Sequence, residues 1–272
     1  MTRSRRHLPP TWLRSALVLS AVALLAVGCV EQQGEQPGMA ASSATAPASG
    51  ASAAMASAVD LQTLGTYHRY RDSVAWRLGP EGVEVQTGTP RGDGKKRAQI
   101  IDAVWRDYGP LILEASARHN VPAELLIAII VEESSGRPVV LHREPGYVSD
   151  AKTPDKITLG LTGVLLGTAR KVMNNPRVDR DWVFQPANAI EVAARYVAQQ
   201  YSITGYDVPK VAAAYNAGAI YYNGSPKNHW KMLTHPKGSP EYIDNFVASF
   251  NMATAFLADG RAPAQSFAAL RK

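Results

Sequence analysis

The feature that most constrains this chain is the punctuation of its second half, where prolines and glycines recur at intervals that fit helices. Pro122, Pro186, Pro209 and Pro240 each stand at the head of a run that keeps helical spacing, and proline is preorganised for a first helical turn. Gly136 and Gly218 close two of these runs, and Ser239-Pro240-Glu241 opens the last. The pattern predicts helices over about 96–119 (broken near Gly109-Pro110), 122–134, 161–173, 186–201, 209–217 and 240–257. Between Pro138 and Thr158 it predicts a polar loop with turns at Pro145-Gly146 and Thr153-Pro154. Helix after helix with no strand run of comparable length implies an all-α domain over residues 95–272.

The first third reads differently. Residues 3–14 hold Arg3, Arg5, Arg6 and Arg14, and no acid precedes Glu31. Ala16–Val27 is an apolar run, followed by Gly28 and Cys29, the only cysteine of the 272 residues. A basic stretch, a short apolar stretch and a small residue before a cleavage point are the parts of a secretory signal. The run is short for a membrane span, which needs ~20 apolar residues. Leu25-Ala26-Val27-Gly28-Cys29 resembles the lipobox of bacterial lipoproteins, with alanine where leucine is commoner. That resemblance implies a signal peptide over residues 1–28 and lipidation of Cys29, which would tie the protein to a membrane through its N-terminal lipid. Val30 after the cysteine implies sorting to the outer membrane, where the cell has one, and so a periplasmic location.

Removing residues 1–28 takes away four arginines and no acid, which lowers the formal charge from +6 to +2. Charge therefore gives no argument for a nucleic-acid partner. One cysteine excludes an internal disulfide framework and a cysteine zinc site. Residues 29–58 are Gln, Ala, Ser, Gly and Pro with almost no large apolar side chains, the composition of a disordered tether. Residues 59–94 form a mixed extension in which Val74–Leu78 and Val83–Gln86 flank Gly79-Pro80-Glu81-Gly82, a short hairpin pattern. The remainder is globular in composition, with 46% hydrophobic residues over the whole chain.

The most informative helix is the second, PAELLIAIIVEES. At 100° per residue Leu126, Ile129 and Ile130 share a face and Glu133 falls in its middle, while Glu132 points about 100° away, towards Ala128 and the flank, where it can reach water. A carboxyl group at the end of an apolar stripe is partly desolvated, which raises its pKa and lets it hold a proton near neutrality. Geometry alone leaves open that Glu133 is a capping or ion-paired acid at a helix end. No HExxH spacing, GxSxG elbow or phosphate-binding glycine loop competes with it. A carboxylate-dependent reaction in an exported chain points to polysaccharide cleavage.

Four motifs give that reading a family. Glu133-Ser134 followed by Gly136-Arg137-Pro138 resembles the ES motif of the soluble lytic transglycosylases. Residues 160–169, GLTGVLLGTA, align without gaps on that family's GLMQxMPxTA. Residues 213–218 are its AAYNAG intact, and Glu241–Val247 (EYIDNFV) resembles its closing tyrosine-bearing helix. The resemblance implies a lysozyme-like fold around a groove for peptidoglycan glycan strands, with no cofactor and no metal. It implies cleavage of the β-1,4 bond between N-acetylmuramic acid and N-acetylglucosamine, leaving a 1,6-anhydro end. Glu133 would be the single general acid and base, assisted by the substrate's N-acetyl group. Ser134 would bond substrate or orient the glutamate, Tyr215 would position it, Asn216 would hold the groove backbone, Gly160 and Leu161 would let the chain pass close to sugar, and Tyr242 would line the site. Tyr196 is a further hydroxyl neighbour. The sequence departs from the pattern at Thr162 and Gly163, where the family has methionine and glutamine facing the sugar, and at Glu132, where it has glutamine. Glu144 and Asp150, in the loop His142–Asp150, form a possible second acid pair or a solvated loop. A lysozyme-like hydrolase and a non-catalytic wall-binding lipoprotein remain as alternatives. Oligomeric state has no signature in the sequence.

Overall fold

A computed structural model describes residues 60–90, 94–236, 238–261 and 263–267. The signal-like segment, Cys29 and the tether lie outside the described residues.

The chain begins with a short helix α1 (Leu61–Gly65) and a hairpin of β1 (Trp76–Gly79) and β2 (Gly82–Val85), paired Trp76 with Val85 and Gly79 with Gly82. The turn falls on Pro80-Glu81, as the Gly-Pro-Glu-Gly pattern predicts. Helix α2 (Gly94–His119) and α3 (Ala123–Ser134) follow. A small antiparallel sheet, β3 (Leu141–Arg143), β4 (Ile157–Leu159) and β5 (Val164–Leu165), comes next, in that spatial order. The remaining elements are α4 (Leu166–Val172), α5 (Arg180–Val183), α6 (Pro186–Gln199), α7 (Tyr201–Thr204), α8 (Val208–Ala217) and α9 (Glu241–Ala258). Among the described residues no helix is long and apolar enough to cross a membrane.

Helix α3 is the centre of the larger core. Every residue from Ala123 to Val131 is buried, so its apolar surface is enclosed on all sides and not along one stripe. It packs chiefly against α9 and α2. A second core under the sheet joins Ile157, Leu159, Val164, Leu166 and Ala169 to Val178, Val183 and Val192. The extension before α2 shares the first core: Trp76 is fully buried, meets Trp230 edge-on at 5.5 Å and donates its indole N–H to Asp207 at 2.7 Å. Asn251 of α9 pairs with both backbone groups of Val83, at 2.6 and 2.9 Å, and so continues the hairpin edge.

Two sequence expectations fail for local reasons. Helix α2 runs through Gly109-Pro110 unbroken. Pro110 and Arg106, whose carbonyl loses its donor, both lie on the exposed side, so water can satisfy the orphan group. The helix expected over 161–173 starts only at Leu166, and the polar loop before it contains β3 and β4. Gly160 and Gly163 adopt φ values of +75° and +59°, and they close a four-residue turn between β4 and β5 in which Gly163 N–H donates to the Gly160 carbonyl at 3.3 Å. Val164, Leu165 and Leu166 form a short continuous apolar run, which fits a buried strand as well as a helix.

Candidate active site

The site is built where α3 ends. Ser135 takes a left-handed conformation (φ 53°), its N–H bonds back to the Val131 carbonyl, and Gly136 N–H reaches the Ile130 carbonyl at 3.4 Å. This stop leaves Glu133 in the last helical turn, at the negative end of the helix dipole, where a carboxylate charge is disfavoured.

Glu133 lies in a groove of about 700 Å³ between the two cores. One wall is the sheet side, with Glu144, Asp155, Lys156, Thr158 and Thr168. The other carries Tyr196, Asn216, Gly218 and His235. The Glu133 side chain keeps partial contact with the groove, but its carboxyl group is packed among protein atoms. Burial pushes its pKa from 4.5 up to about 7. The hydrogen bond from the Tyr242 hydroxyl to Oε1, 2.5 Å long, opposes that rise, and the Glu132 charge adds to it. Burial and the neighbouring Glu133 charge hold the Tyr242 phenol well above 10, so it stays a donor.

Glu132 points to the flank, as the helical wheel implies, but little of it reaches water. Arg97 of α2 and Ser249 of α9 close over that flank and bond its Oε1, leaving the side chain 11% exposed. The two adjacent acids are therefore separated in role: Glu132 is ion-paired away from the groove and Glu133 faces it.

The turn between β4 and β5 forms the floor beside Glu133, and several expected site residues turn out to hold it. Ser134 is buried, and its hydroxyl donates to the Leu161 carbonyl at 2.7 Å. The Tyr215 hydroxyl donates to the Thr162 carbonyl at 2.7 Å, and burial with the nearby Glu133 charge raises its pKa well above 10. The Thr162 hydroxyl donates to Ala189 of α6 at 3.1 Å, so this residue turns into the protein and not towards the groove. Leu161 is a core residue, whereas Gly160 lines the groove. Gly160 has no room for a side chain, since a β-carbon there would approach the Val183 carbonyl to 2.9 Å. Asn216 accepts from His235 N–H at 2.6 Å and so fixes the far rim. Tyr196 packs edge-on against Tyr215 at 5.6 Å and lines the same wall.

The structure thus gathers Glu133, Tyr215, Gly160 and Asn216 around one groove; Tyr242 reaches it only through its bond to Glu133, and Ser134 and Leu161 stand behind it. Asp150 belongs to no acid pair: Arg180 bonds both its carboxylate oxygens, at 2.8 and 2.7 Å, and holds its pKa below the usual range. Glu144 remains on the groove wall beside His142, at 3.4 Å. Sequence reasoning missed the sheet wall and the His235–Pro236 rim. The acids Glu144 and Asp155 were visible in the text, but only the β3–β4 pairing brings them to one side.

Among the described residues no cluster of His, Cys, Asp and Glu could hold a metal ion. No curated protein sequence matches the chain. Residues 110–231 match the family model of the transglycosylase SLT domain. That span contains Glu133, the Gly160–Gly163 turn and Tyr215, while Tyr242 lies just beyond it. Most of the groove, with its buried acid, therefore lies in a span that matches the transglycosylase SLT domain, the domain of the lytic transglycosylases of the lysozyme-like superfamily.

Proposed function

We propose that the protein cleaves the β-1,4 bond between N-acetylmuramic acid and N-acetylglucosamine in peptidoglycan and leaves a 1,6-anhydro end. The observation that carries this reading is the Glu133 carboxyl group, at the groove floor, bonded to Tyr242 and with a pKa near 7. Such a group is part protonated and part ionised at neutral pH, so it can give a proton and then take one.

In the first step protonated Glu133 gives its proton to the glycosidic oxygen as the C1–O bond breaks, and the substrate's N-acetyl oxygen supports the cationic C1. In the second, the Glu133 carboxylate accepts the proton of the C6 hydroxyl as that oxygen bonds C1. The acid is restored and no water is consumed. One carboxyl group suffices, which agrees with the ion-paired states of Glu132 and Asp150.

Export and anchoring complete the proposal: Cys29 carries the lipid and the SLT domain works on glycan strands in the periplasm, from the outer membrane. Digesting purified sacculi in heavy-oxygen water tests the chemistry. Anhydro ends without the heavy oxygen are expected. Reducing ends that carry it would mean a lysozyme-like hydrolase on the same groove, and no release at all would mean a wall-binding lipoprotein.

A further inference from the structure

Position 163, a glutamine in the family pattern, lies directly against Glu133. A β-carbon there would lie 2.3 Å from Glu133 Oε2, 2.7 Å from Glu133 Cβ and 2.9 Å from Cδ. Turning the Glu133 side chain could relieve the contact with Oε2. It could not relieve the one with Cβ, which is fixed to α3. The residue also has φ +59°, a region that side chains enter at a cost.

The turn has no freedom to retreat. Ser134 holds the Leu161 carbonyl, Tyr215 holds the Thr162 carbonyl, the Thr162 hydroxyl is tied to α6, and Gly160 N–H bonds the Val140 carbonyl at 2.8 Å. Two of these anchors come from the helices that carry the ES and AYNAG motifs. They press the bare backbone of residue 163 onto the acid.

We propose that Gly163 is a positioning residue for Glu133: its missing side chain leaves the space in which the carboxyl group is seated, between the turn and the Tyr242 hydroxyl. The departure from glutamine is then not a gap in the groove. The volume a side chain at 163 would need is filled by the acid itself. The activity arm of this inference rests on Glu133 being the reacting group; the seat does not. The charged and titratable groups around the seat are Tyr242 from α9, Tyr215 from α8, and Glu132 on α3 with its partner Arg97 from α2. Glu144, Asp155, Lys156, His142 and His235 stand on the groove walls.

The test is a carbon-13 carboxyl titration of the full chain and its Gly163→Ala variant, with the Glu133 signal identified by its loss in Glu133→Gln. The wild-type midpoint is expected near 7 and the variant's at least about one unit lower, because the displaced carboxylate gains water. In parallel, kcat on sacculi falls about 10²-fold with KM little changed, since a small misplacement of the acid affects the chemical step. Gly163→Gln moves both readouts the same way. A folded Gly163→Ala protein with the wild-type midpoint and kcat would overturn the proposal. If Gly163→Ala does not fold, the Glu133→Gly/Gly163→Ala protein decides: recovery of folding supports the seat, and failure to recover places the strain in the turn and overturns it. Wild type that releases no glycan while its midpoint still moves in Gly163→Ala would refute the catalytic reading alone.

Discussion

At the scale of single residues, Glu133 keeps a proton at a pH where a free glutamic acid has lost it. Burial is the largest effect and outweighs the stabilising bond from Tyr242. The sign for stability follows. The unfolded chain ionises near 4.5 and the folded one near 7, so stability falls as pH rises between these values and stays lowered above them. Glu133→Gln, which cannot ionise, is expected to unfold at higher temperature than wild type at pH 8, by about 1–3 kcal/mol of stability, and to match it at pH 4. Thermal unfolding at the two pH values checks this, and a difference that is the same at both would contradict it. The place of Glu133 was legible from the helical spacing of Leu126, Ile129 and Ile130 before it. The fate of Glu132 was not, because its partners Arg97 and Ser249 are 35 and 117 residues away.

At the scale of elements, the β4–β5 turn joins the motifs into one unit. Ser134, Leu161 and Tyr215 match family positions and invite a reading as sugar contacts, yet the hydroxyls of Ser134 and Tyr215 are spent on turn carbonyls. Ser134→Ala leaves the buried Leu161 carbonyl without that donor and is expected to lower stability by about 1–3 kcal/mol, with kcat falling because the turn seats Glu133. A direct substrate ligand would instead raise KM and leave thermal unfolding unchanged, so the two measurements together decide. Helix starts at proline and stops at glycine were readable because they are local chemistry. The turn was not readable, because Gly160 and Gly163 announce a break without saying whether strand or helix follows. Pro110 misled in the opposite direction, as solvent exposure let the helix continue.

At the scale of the whole described chain, the extension that the sequence left without a role is part of the same core as the acid-bearing helix. Asp207 binds it there: one carboxylate accepts from Trp76 and meets His68 at 3.0 Å and Lys210 at 3.1 Å, and its side chain is only 4% exposed. Asp207→Ala strips a partner from a buried indole N–H and two basic side chains, and about 3–5 kcal/mol of stability should be lost. Denaturant unfolding measures it, and a loss below about 1 kcal/mol would mean that apolar packing of Trp76 alone holds the extension. The bond to Asp207 raises the His68 pKa, so its contribution is complete below the unfolded value of 6.5 and disappears as pH climbs through the folded one. No single motif signals this clamp, since His68, Trp76 and Asp207 meet only when the chain closes on itself.

Whether one buried carboxyl group does the chemistry is decided by comparing wild type and Glu133→Gln on purified sacculi, with both shown to be folded. Mass spectrometry of the soluble fraction should find anhydro-muropeptides from the wild type and none from the variant, which should still bind the glycan. Release of the same products by Glu133→Gln would contradict the account.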